Sequence, residues 1–371
     1  MNAMRLGGLI RKEVLQILRD PSSIAIAFVL PLVLLLLFGY GISLDAREVP
    51  IGIVIEEPSV AASSFAGSFL HSPYFHPVLF RHRQPAEAAL VRGELDAMVV
   101  LRQDFARRAR RPQGAPVQVV VDGTDANTAR LVTGYAAGAW QTWLGHEARL
   151  RGRPLPPPAV LEHRIWFNAA VRSRNFLIPG LIAIIMTLIG ALLTALVVAR
   201  EWERGTMEAL LVTRVTRFEL LVGKLAPYFV LGMGGMALSV AMAVFLFGVP
   251  FRGSVGVLVA ASALFLLAAL GMGLLISTVA RNQFVAGQIA IITAFLPAFI
   301  LSGFIFDIAS MPQPIQAITY LISARYFVAA LQSLFLAGDV WSVLVPNLAA
   351  LALIGIVFLG LTWRRTRTRL E

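Results

Sequence analysis

The feature that leaves this chain fewest options is a set of uninterrupted apolar runs, each long enough to cross a bilayer. A helix needs about 20 apolar residues to span the hydrocarbon core. The sequence supplies six such blocks, at 22–44, 175–199, 225–248, 254–280, 284–304 and 340–363. Composition points the same way. Of 371 residues, 57% are hydrophobic and 14% charged, where soluble domains carry about 25% charged residues. The expected fold class is an α-helical integral membrane protein with six transmembrane helices and an inserted α/β domain. The first block is too long, and too far from the start of the chain, to read as a cleaved leader.

The insert occupies 45–173 and interrupts the chain between the first two spans. Strands are expected at 51–55, 77–80, 97–101 and 117–121, and helices at 60–70 and 86–92. A longer helix capped by Asp125 or Asn127 should run to Leu150. Strands alternating with helices predict a small α/β unit. The proline-rich RPLPPPAV from Arg153 reads as an extended linker. Arg107, Arg108, Arg110 and Arg111 form a basic knot that fits either a solvated helix end or a docking face. His71, His76 and His82 read as surface residues.

The net charge is +11, nearly all of it arginine, since Lys12 and Lys224 are the lysines. Nucleic-acid binding would gather this charge on one soluble face. Here it flanks the apolar blocks, where topology and anionic lipids would put it. Arg5, Arg11, Lys12 and Arg19 precede the first span. Arg200, Arg204, Arg214, Arg217 and Lys224 lie between the second and third, and Arg364, Arg365, Arg367 and Arg369 follow the sixth. The positive-inside rule then puts 1–21 and the basic tail 364–371 in the cytoplasm, and 45–173 outside. With no cysteine, disulfides and Cys-ligated metals are excluded, and the five histidines show no ligand spacing, so no metal site is expected.

Two charged segments border the spans. The stretch EWERGTMEALLVTR starts at Glu201. Its five charges would cost more than roughly 10 kcal/mol inside the bilayer, so it should lie outside, as a helix at 201–213. Met207, Leu210 and Leu211 share one face of that helix, and Glu201, Arg204 and Glu208 another. Gly205 permits a bend. The N-terminal segment reads as an in-plane amphipathic helix. Leu6, Ile10, Val14, Ile17 and Leu18 form its apolar side, and Arg5, Lys12, Gln16 and Arg19 its polar side.

The apolar cores of the six blocks hold no Asp, Glu, Lys or Arg, whereas ion-driven transporters usually keep ionisable relays there. A P-loop is missing too: Leu225 follows Gly223-Lys224, and Phe218 stands where the leading glycine would be. Energy for transport would have to come from another polypeptide. A membrane sensor with a ligand-binding outer domain is the alternative, but its longest inner segment, 200–224, leaves little room for a signalling domain.

REWERGTMEALLVTRVTRFELLVGKLAPYF resembles the E-R-G-T-x-E-x-L-L-V-T-P segment, and the G-K-x-x-P-Y after it, of ABC-2 type permeases of bacterial ABC exporters. RDPSSIAIAFVLPLVLLLLFGYGI, WFNAAVRSRNFLIPGLIA and LSGFIFDIASMPQPIQAITYLISARYF resemble other parts of that family, in the branch with a large outer domain. The resemblance implies a subunit of the bacterial inner membrane, paired with ATPase subunits and with a second permease copy or close homologue. A periplasmic adaptor and membrane lipids are further implied partners, and nucleic acid is not. No cofactor is expected in this chain, ATP and Mg being bound by the ATPase. The segment 201–213, with Glu201, Trp202, Glu203, Arg204, Gly205, Thr206, Met207, Glu208, Leu210 and Leu211, would be the coupling helix. The N-terminal helix would be a second contact, and 305–339, with Met311, Pro312, Pro314, Arg325 and Tyr326, an outer re-entrant segment. Thr187, Thr194, Phe295, Phe299 and Phe304 are candidate pathway-lining residues for a hydrophobic or amphipathic cargo.

Overall fold

The computed structural model describes residues 3–41, 49–70, 72, 74–109, 117–122, 126–150, 172–207, 215–306 and 308–366. They fall into two compact units, Met1–Ser43 with Ile165–Glu371, and Leu44–Arg164.

In the smaller unit the strands are β1 (Val49–Ile55), β2 (Phe75–Phe80), β3 (Ala97–Leu101) and β4 (Gln118–Val121). Their order is β2-β1-β3-β4, with β1 parallel to β2 and β3, and β4 antiparallel to β3. The central strands β1 and β3 are apolar at nearly every position because both faces are covered. Ile51, Ile53, Val99 and Leu101 meet Phe65, Phe69, Phe105 and Trp143 on one side. Val54, Met98 and Val100 meet Ala86 on the other. The helices Val60–Leu70, Arg83–Val91 and Ala126–Leu150 supply those layers. A short helix, Phe105–Arg108, was not expected; its Arg108 pairs with Asp104 at 2.5 Å. Arg110 and Arg111 of the basic knot, and His71, lie outside the described residues, while His76 and His82 are exposed.

The larger unit holds six helices long and apolar enough to cross a membrane: Pro21–Gly41, Ser173–Glu203, Arg217–Leu246, Val255–Ala280, Gln283–Leu301 and Trp341–Arg365. The second is the hub, buried along nearly its whole length. Small residues make this possible, because without a hydrophobic drive between helices in lipid, close backbone approach decides packing. Ala191, Ala195 and Ala199 of the second span face Ala286, Ala290 and Ala294 of the fifth, every fourth residue on each side. The fourth span approaches closest at Gly273, where a Cβ would stand 2.3 Å from the Ala191 carbonyl oxygen and 2.3 Å from the Thr194 hydroxyl.

The third span starts eight residues before the expected Leu225, at Arg217. A capping box explains it. The Thr216 hydroxyl accepts from Glu219 N–H at 3.3 Å, and the Glu219 carboxylate accepts from Thr216 N–H at 3.0 Å. Lys224 therefore belongs to a helix rather than to a connecting segment. Widened π turns occur at Ala25–Val29 and Ile291–Phe295, just before Pro31 and Pro297. A proline ring crowds the carbonyl four residues back and has no N–H to give it, and a local i+5 turn accommodates the gap.

Segment 305–339 contains a helix pair, Gln313–Thr319 and Ser323–Ala337, bent by 80°. Pro312 is the N-cap and Pro314 lies in the first turn, while Met311 accepts through its carbonyl from the Gln316 amide at 2.8 Å. Arg325 holds the corner between the two helices. It donates to the Thr319 hydroxyl and lies 3.9 Å from the Tyr320 ring centre. Tyr326 donates to the Tyr320 carbonyl at 2.9 Å.

Candidate functional site

Charged side chains that the sequence scatters over 200 positions meet at one end of the larger unit. The N-terminal helix Ala3–Leu18 lies against the start of the third span. Glu13 from that helix, Glu201 from the end of the second span and Lys224 from the third are 1%, 2% and 3% exposed. Lys224 Nζ stands 2.5 Å from Glu201 Oε2 and 3.2 Å from Glu13 Oε1. Lys12 closes the cluster, bonded to Glu201 and 3.4 Å from Glu13. Burying charges this deeply is tolerable only when each finds opposite charge. Burial works against the Lys12 ammonium, but Glu201 and Glu13 outweigh it and raise its pKa.

A second pair adjoins the first. Arg200 Nη1 lies 2.5 Å from Asp20 Oδ2. Asp20 caps the first span, accepting from Ser22 N–H at 3.1 Å, the Ser22 hydroxyl at 2.5 Å and the Ser23 hydroxyl at 2.9 Å. Burial alone would raise its pKa, but these donors and the Arg200 charge hold it at about 2. The folded pKa is thus depressed. The stability it brings is present above the unfolded value of about 4 and is lost as pH falls toward 2. Thermal melts should show Asp20→Asn less stable than the parent at pH 7, with the gap closing between about pH 4 and 2.

The segment after the second span differs from the expected single helix at 201–213. The second span continues through Glu203, and the helix stops at Arg204 because Gly205 turns left-handed, at φ 67°. Glu201 therefore belongs to the ion cluster, not to an exposed face shared with Arg204 and Glu208. Trp202 is half-buried under the Arg281 guanidinium, 4.7 Å from its ring centre. Glu203 accepts from Gln283 N–H at 2.8 Å and from its side-chain amide. Arg204 is exposed, Thr206 donates to the Glu201 carbonyl at 3.3 Å, and Met207 is buried. Glu208, Leu210 and Leu211 lie outside the described residues.

The N-terminal helix is rotated from its expected setting. Leu6, Ile10, Glu13, Gln16 and Ile17 turn inward, while Val14 and Leu18 are exposed. Of the expected apolar side, Leu6, Ile10 and Ile17 turn inward and Val14 and Leu18 do not, while Lys12 of the expected polar side reaches the buried Glu201. Arg5 and Arg19 are exposed. Lys12, Arg19, Arg200 and Arg204, with Asp20 paired to Arg200, line a groove of net positive charge, about 940 Å³ counting its open mouth.

Three of the five candidate pathway residues are buried. Thr187 and Thr194 are each 1% exposed. Thr187 donates to the Ala183 carbonyl at 2.7 Å, and Thr194 to the Leu270 carbonyl at 2.7 Å. The Thr187 hydroxyl is satisfied within its own helix and the Thr194 hydroxyl across to the fourth span, and neither faces a cavity. Phe304 is buried too, over Gly180. Phe295 and Phe299 are half-buried with ring centres 5.8 Å apart, beside exposed Ile292 and Leu296.

Glu13 was missed, although a signal existed. Leu6, Ile10, Glu13 and Ile17 are spaced 4, 3 and 4, so Glu13 sits on the helix's apolar stripe. Lys224 falls likewise among Leu220, Gly223, Pro227 and Tyr228, all buried. A charge at an apolar position of a helix predicts a buried partner.

Residues 21–364 match the family described as ABC-2 family transporter protein. The probable multidrug ABC transporter permease YbhS of Escherichia coli K12 is 51% identical over 99% of this chain and 98% of its own. YbhR of the same strain, also named a probable multidrug ABC transporter permease, is 29% identical over 95% and 96%. The inner membrane transport permease YhhJ of that strain is 30% identical over 86% and 85%.

Proposed function

The chain belongs to the ABC-2 transporter family as a permease subunit, and from that premise we propose that it is the passive gate of an ATP-driven exporter. The supporting observation is the buried ion cluster. It fastens the N-terminal helix to the second and third spans at Glu201, the first residue of the EWERGTMEALLVTR segment. Force applied to that segment by a separate ATPase passes into both spans. The basic groove of Lys12, Arg19, Arg200 and Arg204 suits an acidic rim on that ATPase. ATP and Mg belong to the ATPase.

Two permeases, identical or paired as a YbhS-like and a YbhR-like chain, enclose a cavity that opens outward when the ATPases close. The cargo is hydrophobic or amphipathic. This rests on uncharged span interiors and on the word multidrug in the names of YbhS and YbhR. Phe295 and Phe299 remain candidate lining residues. The chain sits in the inner membrane, as YhhJ's name suggests, with both ends cytoplasmic and 45–173 outside, where an adaptor would dock.

Co-purification tests this reading. The tagged chain should bring down an ATPase, and Glu208→Arg should abolish recovery without changing the melting temperature. Retained ATPase with cargo-stimulated hydrolysis in that variant would overturn the coupling role. Uphill transport by the reconstituted chain alone would overturn the whole reading.

A further inference from the structure

Next to the ion cluster, the ends of four spans surround a narrow cleft of about 480 Å³, counting its open mouth. Val198, Leu220 and Leu221 form apolar wall, and its lining includes Lys224 and two exposed arginines, Arg281 and Arg365. Among the described residues neither arginine forms an ion pair. The neighbouring carboxylates are engaged, Glu201 by Lys12 and Lys224, and Glu203 by Gln283. The cleft is therefore positive.

Arg281 is unusual in its backbone as well. It ends the fourth span at φ 53° and ψ 1°, the one non-glycine residue of positive φ among the described residues. Glycine ordinarily fills such a helix end. The chain instead keeps an arginine there and holds its guanidinium over Trp202. The level of the cleft is also marked. Phe218 and Trp363, both exposed, have ring centres 6.3 Å apart beside it. Aromatic side chains of this kind collect where a membrane meets water, and basic pockets between spans at that level hold anionic headgroups.

We propose that this cleft binds the phosphate of an anionic phospholipid through Arg281 and Arg365. The ligand would sit beside Met207 of the proposed coupling segment, so, on that reading, lipid composition would bear on coupling. The inference holds whichever leaflet this end of the bundle meets.

Native mass spectrometry of the purified full chain, with added phosphatidylglycerol or phosphatidylcholine, tests it. The parent should retain phosphatidylglycerol at least about tenfold better. Arg281→Gly should melt no lower than the parent, because glycine suits the left-handed position, yet lose that preference. Arg365→Gln should lose it as well. Equal retention of the two lipids, or an Arg281→Gly chain that still prefers phosphatidylglycerol, overturns the proposal. So does inorganic phosphate that displaces the lipid at equal concentration, which would assign the site to free phosphate. If Arg365→Gln lowers the melting temperature and leaves the preference intact, the arginine only complements a helix end, and the proposal also fails.

Discussion

Replacing Lys224 with methionine is expected to cost the fold about 3–5 kcal/mol. The substitution leaves an unbranched side chain one atom shorter and removes its charge. Glu13 and Glu201, 1% and 2% exposed, would then share only Lys12, whose own side chain is 40% exposed. An uncompensated carboxylate at that depth is the expensive outcome. Thermal melts in detergent should show a large drop. The double variant Glu201→Gln with Lys224→Met should recover much of it, because removing both partners of a buried pair is often nearly neutral. A Lys224→Met chain that melts like the parent would mean the cluster does not hold the N-terminal helix in place.

Gly273→Ala should cost up to about 3 kcal/mol, the upper end for overpacking a tight core. The added methyl meets the Ala191 carbonyl at 2.3 Å, which is backbone and cannot swing aside. The second and fourth spans would have to part, breaking the Thr194 bond to the Leu270 carbonyl. Gly360→Ala, on the sixth span, is the matched control, since nothing lies within 4 Å of its added Cβ. It should be neutral, or gain up to about 1 kcal/mol from helix propensity. Similar melting temperatures for the two variants would refute the close-approach account.

Much of the architecture was legible because apolar length and alternation are strong signals. The spans and the four strands follow directly from uninterrupted apolar runs and from β1 and β3 being covered on both faces. The site was less legible. The charges of Glu201 and Lys224 argued for positions outside the bilayer, and that argument weighs single residues against lipid. It does not foresee that opposite charges from three helices will neutralise one another at the bundle's end. Helix continuity misled in the same place. Glu, Met, Ala and Leu favour helix on both sides of Gly205, so propensity joined what one left-handed residue divides. Thr187 and Thr194 were read as pathway lining because hydroxyls in an apolar span invite that reading. Thr187 instead bonds back to its own helix and Thr194 across to the fourth span, the commoner uses of a buried threonine.

The second span is 31 residues long, a rod of roughly 46 Å at 1.5 Å per residue. It is gripped on all sides, and one tip is clamped by ions. A tilt of about 5° around its middle would carry each tip about 2 Å in opposite directions. Such a strut trades sensitivity for stiffness: small strokes at the clamped tip arrive undiminished at the other, and slack anywhere along the alanine seam would waste them.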